Sequence, residues 1–448
     1  MRVLMPLYRI VRDSGLTFVP VENLQNMPIR MGPHTVSYSI DSAQLPDSSL
    51  RINFLRCPEL YDRDSIYAPG EYEHLQFILL SRAAIEMCQR MGFAPDIFHA
   101  HDWHTALIPL YLKTVYAWDR LFAKTRSVVT IHNIGFQGIF GADILNDLEL
   151  NGGERELHQD DLAAGRINFL KTAVLHADLI TTVSPTYAHE IQGDEHGMGL
   201  QDLLRKRRST LIGILNGVDY DDWDPRHDTL IPHPYSSEAL EGKYKNKIEL
   251  TAELGLTAGD DVPLIGIVSR LTGQKGIELI QNVLPRLLLS RRFAVAVLGS
   301  GEERFEWFFT LLQRRFRDRV CYYDGYNNKL AHWIEAGSDI FLMPSHFEPC
   351  GLNQMYSLRY GTVPIVRETG GLADTVELYN PKTKEGTGIV FRDYNAEGLN
   401  WAINQALDLY QDKKTWRRIV ENGMSKDFSW DRQGAIYVEL FRRLSGAT

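Results

Sequence analysis

Two doubly wound α/β domains are what this sequence predicts, and three observations carry that prediction. Short apolar strands alternate with amphipathic helices along most of the chain, the order that builds parallel sheets. The alternation breaks off around a polar stretch that follows residue 214 and then starts again. At 448 residues the chain is also too long for one ordinary core.

The elements follow in order. Met1 to Tyr8 reads as a strand leading into a loop. Residues 96–100 form a strand that leads to a helix over 106–113, and 127–131 form another buried strand. A strand over 179–183 precedes Ser184-Pro185, an N-cap with a first-turn proline. A strand over 211–215 runs into Asn216-Gly217-Val218-Asp219. The segment 220–247 is rich in Asp, Pro, His and Ser and reads as irregular. The second series places strands at 263–268, 293–298, 339–343 and 363–366. A last helix is capped by Ser429 and carries Ile436, Leu440 and Leu444 on one face. The domains are therefore drawn at 1–214 and 215–426, with 427–448 as a terminal helix.

Composition excludes several classes of function. A balance of 48 Lys and Arg against 57 Asp and Glu gives a net charge of -9, unsuited to nucleic acid or an anionic membrane. The four cysteines are far apart with no CxxC pairing, which argues against disulfides and zinc and for a reducing compartment. No apolar run has the length of a membrane span, and the opening residues do not read as a signal peptide.

Ligands in doubly wound sheets bind beyond the carboxyl ends of the strands, so the loops there are the candidates. After Val268 comes Ser269-Arg270-Leu271-Thr272-Gly273-Gln274-Lys275-Gly276. Arg270 and Lys275 would neutralise a diphosphate near a helix start, or else stand as solvated loop cations. After Met343, Glu348 would accept hydrogen bonds from sugar hydroxyls or simply complement a helix dipole, and Gly351 permits close backbone approach. Thr369, Gly370 and Gly371 open a third helix as a candidate phosphate nest. Three such loops on consecutive strands weigh more than any one alone. In the first half, His99 to His104 and Ile131 to Gly138 follow strands. These histidines lack metal-site spacing and read as carbohydrate contacts or satisfied core residues, so no metal is assigned. Tyr326 would stack on a base or pack in the core, Trp333 reads as core, and the Cys350 thiol reads as packing.

Together these segments resemble the ADP-glucose-dependent glycogen and starch synthases. The motifs are HAHDWHT (99–105), TIHNIGFQG (130–138), LNGVD (215–219), SRLTGQKG (269–276), HFEPCGLNQ (346–354) and TGGLADTV (369–376), in the family's order. The resemblance implies the GT-B fold, two Rossmann-like domains with donor and acceptor meeting in the cleft between them. The last helix would cross back to the first domain. It implies metal-free, cofactor-free transfer of glucose, with retention, from ADP-glucose to the non-reducing end of an α-1,4-glucan. By the same resemblance Arg270 and Lys275 neutralise the departing diphosphate, and Glu348 holds the donor sugar. His132 touches the transferred glucose and Asp102 lines the reaction centre. His101, Asn133, Asn216 and Tyr326 belong to the substrate-binding set, Tyr326 on the adenine. Cys350, Gly351, Leu352, Thr369, Gly370 and Gly371 complete that set, the glycines and their neighbours through backbone amides.

One departure from the family pattern is expected to matter. Family members open with a strand, a Lys-Thr-Gly-Gly-Leu loop and a helix, whereas the one TGGL here is Thr369 to Leu372. The first domain is therefore expected to lack its first strand and helix, leaving neighbouring strands short of ladder partners. An incomplete start is the favoured explanation, and a non-catalytic glucan-binding relative the alternative. A UDP-glucose-dependent enzyme is a further alternative, since a diphosphate site is indifferent to the base. Partners are a nucleotide sugar and an α-glucan, the compartment bacterial cytoplasm or plastid stroma.

Overall fold

A computed structural model of the chain describes residues 1–46, 48–63, 72–259 and 261–446. The chain divides into two compact units: 1–181 with 191–212 and 439–448, and 182–190 with 213–438. The division departs from the sequence-drawn boundaries at 182–190, at 213–214 and in the terminal helix. Residues 182–190 pack with the second unit because Thr186 donates to Asp374 through both its amide (2.9 Å) and its hydroxyl (2.7 Å). The last helix, Trp430–Ser445, counts with the second unit as far as Val438 and with the first from Glu439.

The strands of the first unit are β1 (Val3–Pro6), β2 (Val19–Pro20), β3 (Met27–Met31), β4 (His34–Gln44), β5 (Arg51–Arg56), β6 (Ile97–His101), β7 (Arg126–Ile131), β8 (Ile139–Gly141), β9 (Arg166–Asn168), β10 (Leu179–Thr182) and β11 (Leu211–Gly213). They form a sheet ordered β1-β5-β4-β2 with β3 paired to β4, a sheet ordered β11-β10-β7-β6, and the pair β8-β9. The chain before residue 60 is the part least visible in the sequence. β4 pairs antiparallel with β5 from Ser39↔Arg56 to Gln44↔Arg51, a hairpin-type addition to an α/β unit. β1 pairs parallel with β5 alone, and β6 with β7 alone, among the described residues.

The second unit is one parallel sheet. Its strands are β12 (Leu264–Val268), β13 (Ala294–Gly299), β14 (Val320–Asp324), β15 (Ile340–Met343), β16 (Val363–Arg367) and β17 (Ile389–Phe391), in the order β14-β13-β12-β15-β16-β17. Every residue of β13 and β15 is buried, as expected of strands covered by helices on both faces. From β12 the chain winds outward through β13 and β14, then returns to β15 and winds the other way. The order thus reverses between β12 and β15, where a crevice opens at the carboxyl ends.

The stretch read as irregular over 220–247 ends in a helix, Glu241–Glu253. Its buried face carries Lys243, Asn246 and Lys247 beside Leu250 and Thr251, so apolar periodicity does not reveal it. Those polar groups are satisfied. Lys243 donates to the Ala336 carbonyl (3.1 Å) and to Thr362 (2.7 Å), and Lys247 pairs with Asp339 at 2.7 Å.

Candidate active site

The reversal point of the second sheet holds a cavity of about 330 Å3. Arg270 and Lys275 come from the loop after β12, Glu348 and Gly351 from the loop after β15, and Asn216 from the connection into this unit. Lys275 Nζ donates to Glu348 Oε2 at 2.6 Å, and Ser345 Oγ donates to the same oxygen at 3.0 Å. Glu348 is only 6 % exposed. Arg270 is exposed and its guanidinium has no carboxylate partner among the described residues. The cavity therefore presents two cations against one carboxylate, a balance that favours an anionic ligand.

The backbone explains why these loops hold their shape. Gly276 sits at φ +72°, and a Cβ there would lie 2.0 Å from the Pro344 carbonyl oxygen. The loops after β12 and β15 thus touch through a residue that only glycine fits. His346 donates its amide to the Gln274 carbonyl (2.8 Å), a second tie between them. Asn353, at the start of the helix Asn353–Arg359, donates to the Val268 carbonyl at 3.1 Å and pins that helix to the end of β12. Burial pushes the Cys350 thiol up to about 12, against a hydrogen bond from the Asn216 backbone, which fits a packed rather than reactive sulfur.

The Thr369–Gly371 loop does not meet the expectation of free amides. Gly370 donates its N–H to Glu190 Oε1 at 3.0 Å, and the Thr369 hydroxyl donates to the same oxygen at 3.0 Å. Gly371 donates to the Glu348 carbonyl at 3.1 Å, and Thr369 to the Arg367 carbonyl at 2.9 Å. An internal carboxylate occupies the nest, and the loop braces the Glu348 segment: a Cβ on Gly370 would lie 2.0 Å from the Glu348 carbonyl oxygen. Residues 369–371 are supports in this structure.

Tyr326 lies outside the core. It is 83 % exposed on the loop after β14, its hydroxyl donating to Asn328 at 3.1 Å, which leaves its ring available for stacking. Trp333 packs partly buried against the sheet, as the sequence suggests. Glu335 is buried, and burial pushes its carboxyl up to about 8 against a hydrogen bond from Ser357.

The histidines of the first unit gather at the carboxyl ends of β6 and β7. His101 Nδ1 and His132 Nε2 face each other at 3.0 Å, so one carries the shared proton and the other accepts it. His99 Nε2 lies 2.6 Å from Thr130 Oγ1, and burial, with the neighbouring charges of His101 and His132, holds it down at about 3. Asp102 occupies φ +52°, a conformation rare for a residue with a side chain. Its Oδ1 accepts the His132 amide at 2.7 Å, and the Asn133 amide also donates to the carboxylate. Burial raises its carboxyl against those bonds. Asp102 thus fixes the 132–133 turn, while Asn133 Oδ1 accepts the Gly135 amide at 3.0 Å. His104 stacks on Trp103 at 4.3 Å and belongs to the core beneath. Among the described residues no group of three or more His, Cys, Asp or Glu is placed to hold a metal ion.

Two contributors escape sequence reasoning. Ser345 completes the hydrogen bonding of Glu348, and its hydroxyl three residues earlier was a readable clue. Glu190 lies in a helix of the 182–190 segment about 180 residues away, and no local pattern connects it with the loop it holds.

Comparisons with known proteins agree along the chain. Residues 1–206 match the family model described as the starch synthase catalytic domain, and residues 255–426 match that of glycosyl transferases group 1. Glycogen synthase of Koribacter versatilis is 46 % identical over 87 % of this chain and 81 % of its own length. Glycogen synthase of Thermotoga maritima is 40 % identical over 98 % of this chain and 91 % of its own. Among solved structures, the catalytic domain of starch synthase IV from Arabidopsis thaliana, bound to ADP and acarbose, superposes with a TM-score of 0.90 at 33 % identity, covering 99 % of this chain and 92 % of that one. Sucrose-phosphate synthase from Thermosynechococcus elongatus shares the fold, with a TM-score of 0.56 at 18 % identity over 96 % of this chain and 88 % of that one.

Proposed function

The chain belongs to the family of glycogen and starch synthases and has their GT-B fold; from that membership and the site geometry, we propose that it is a retaining glucosyltransferase that moves glucose from ADP-glucose to the non-reducing end of an α-1,4-glucan. The observation that carries the proposal is the Lys275–Glu348 pair in the crevice between β12 and β15, beside Arg270, which has no ion-pair partner among the described residues.

Each residue has a task that its surroundings suit. Arg270 and Lys275 meet the charge that grows on the diphosphate as the bond to C1 of glucose breaks. With two cations in that role the reaction is assigned no metal and no cofactor. Glu348 accepts from donor-sugar hydroxyls with the lone pairs that Lys275 and Ser345 leave open. Gly351, Leu352 and Asn216 line the same cavity, the Asn216 backbone bonded to the Cys350 thiol beside Gly351. Tyr326 supplies an exposed ring for adenine. In the first unit His132 is assigned to the transferred glucose, at its 6-hydroxyl, with His101 and Asp102 fixing its ring and its backbone.

Retention is ordinarily achieved with a carboxylate nucleophile on the far face of the sugar. Asp102 is spent on amides of its own turn and Glu348 on Lys275 and Ser345. We therefore favour attack from the face the diphosphate leaves. The acceptor hydroxyl oxygen bonds to C1, the bond from C1 to the phosphate oxygen breaks, and the hydroxyl proton passes to the departing phosphate. Trapping of a covalent glucosyl-enzyme would overturn this route.

Four cysteines without a disulfide, three of them buried, suit a reducing compartment such as a bacterial cytoplasm or a plastid stroma. The test of function is incorporation of labelled glucose into glycogen from ADP-glucose, run in parallel with UDP-glucose. Incorporation from ADP-glucose is the expected result. A folded chain that incorporates from neither donor refutes the transferase reading, and one that prefers UDP-glucose refutes the donor assignment.

A further inference from the structure

A second groove lies on the same carboxyl edge of the second sheet, two strands away from the donor crevice. It has a volume of about 880 Å3, at the large end of ligand-binding pockets. Glu368 directly follows β16, and Arg392 and Asp393 directly follow β17, so the groove opens where those parallel strands end. Its floor is the buried pair Val376 and Phe391, and its wall is the first turns of the helix Ala396–Gln411, with Glu397 and Trp401. Trp401 is 44 % exposed at the rim, and Leu378, also lining the groove, is 49 % exposed.

The chemistry of the lining selects the ligand class. Glu368, Glu377, Asp393 and Glu397 face one cation, Arg392, so the groove repels a nucleotide or any other anion. Glu368 is paired with Arg392, and Glu377 with Lys426 at 2.8 Å. The carboxylates of Asp393 and Glu397 have no ion-pair partner among the described residues. They are acceptors open to hydroxyl donors. A half-exposed indole beside open carboxylates suits a neutral, polyhydroxylated ring, whose C–H face lies on the aromatic while its hydroxyls donate to oxygen.

We propose that this groove is a second binding site for the α-glucan, separate from the donor crevice, which tethers a polymeric acceptor. The inference rests on the glucan reading of the family. A polymer held at a second point meets the reaction centre at a raised effective concentration, and an oligosaccharide too short to span the two gains nothing. The groove is also joined to the donor loop by protein contacts. Arg367 donates to the His346 carbonyl and to the Arg392 carbonyl (3.3 Å), and the His346 and Tyr394 rings lie 4.5 Å apart.

The experiment uses the full chain with Trp401→Ala, and Trp401→Phe as the conservative companion. Retention in glycogen-containing native gels gives a dissociation constant that Trp401→Ala should raise about tenfold, with Trp401→Phe close to the parent. The KM for glycogen should rise in step, while turnover on a short malto-oligosaccharide and thermal stability stay at parental values. Glycogen retention by Trp401→Ala equal to that of the parent overturns the proposal, as does an equal loss on the short acceptor. If no variant, nor the parent, transfers glucose while Trp401→Ala still loses retention, the transferase reading falls and the groove stands. If the parent transfers glucose and Trp401→Ala is retained unchanged, the groove alone falls.

Discussion

Lys275→Ala separates the two tasks this side chain is given, charge on the leaving group and company for a buried carboxylate. Removing a preorganised donor from a developing anion typically costs about 3 kcal/mol, or roughly a hundredfold in kcat. The structure adds a second cost. Glu348, 6 % exposed, would keep only the Ser345 hydroxyl at 3.0 Å. Breaking a buried ion pair by removing one partner costs about 3–5 kcal/mol. Here the Lys275 side chain is itself 19 % exposed to a cavity that admits water, which points to the low end of that range. Lys275→Ala should therefore lose both turnover and stability, the second read as a lower urea midpoint. The double variant Lys275→Ala with Glu348→Gln removes the orphaned charge, so its stability should recover while its kcat stays low. Glucose incorporation with saturating ADP-glucose is the assay. A Lys275→Ala enzyme that turns over within about threefold of the parent refutes the role in leaving-group stabilisation. A double variant no more stable than Lys275→Ala refutes the ion-pair account.

Three further outcomes are expected. Tyr326→Ala should raise the KM for ADP-glucose about tenfold with no change in thermal midpoint, because a ring 83 % exposed supports nothing beneath it; an unchanged KM removes it from the adenine site. Glu190→Ala leaves the Gly370 amide and Thr369 hydroxyl without their acceptor and should cost about 1–3 kcal/mol in urea unfolding, whereas Glu190→Gln, whose amide oxygen still accepts, should cost less. His99, held at about 3 by burial and by His101 and His132, binds its proton in the unfolded chain near pH 6.5. Its stabilisation is therefore complete above that pH and is lost on acidification, by up to about 2 kcal/mol between pH 6.5 and 5. His99→Gln should flatten that slope, and an unchanged slope would show that His99 does not titrate with folding.

The alternation of strands and helices was legible in the sequence because the inner strands of both Rossmann-type sheets, such as β10, β13 and β15, are buried along their whole length and read as short runs with strong edges. Leu264–Val268 and Ile340–Met343 are such runs, and the loops that follow them carry the site. The antiparallel pair β4 and β5 was not legible: strands of that region mix buried polar residues such as Ser39, Asp41, Ser42 and Asn53 into their inner faces. The helix Glu241–Glu253 was hidden for the same reason, since buried lysines paired across the unit do not look apolar. At the site, residue types next to strand ends could be read, but partners distant in sequence could not. Thr369 to Gly371 has the composition of a phosphate nest, and only the fold shows that Glu190 already fills it.

That occupied nest changes how the donor must be held. With the amides of 369–371 given to Glu190, Glu348 and Arg367, the proposed function would place diphosphate charge in the crevice mainly on side chains. Arg270 has no ion-pair partner among the described residues and on the proposed function would attract the ligand from solution, a long-range effect that salt screens. Lys275 is already hydrogen-bonded at 2.6 Å, so its ammonium is fixed before the donor arrives and little ordering remains to be done on binding. On the proposed function the same hydrogen bond fixes the carboxylate assigned to the sugar, which would tie recognition of the two halves of the donor to one contact. Under that assignment a nucleoside diphosphate without the sugar would engage the cations and leave Glu348 with Lys275, whereas the intact donor would draw on both. Discrimination between ADP and ADP-glucose should accordingly shrink when Glu348→Gln weakens that contact, with most of the loss on the sugar-bearing ligand.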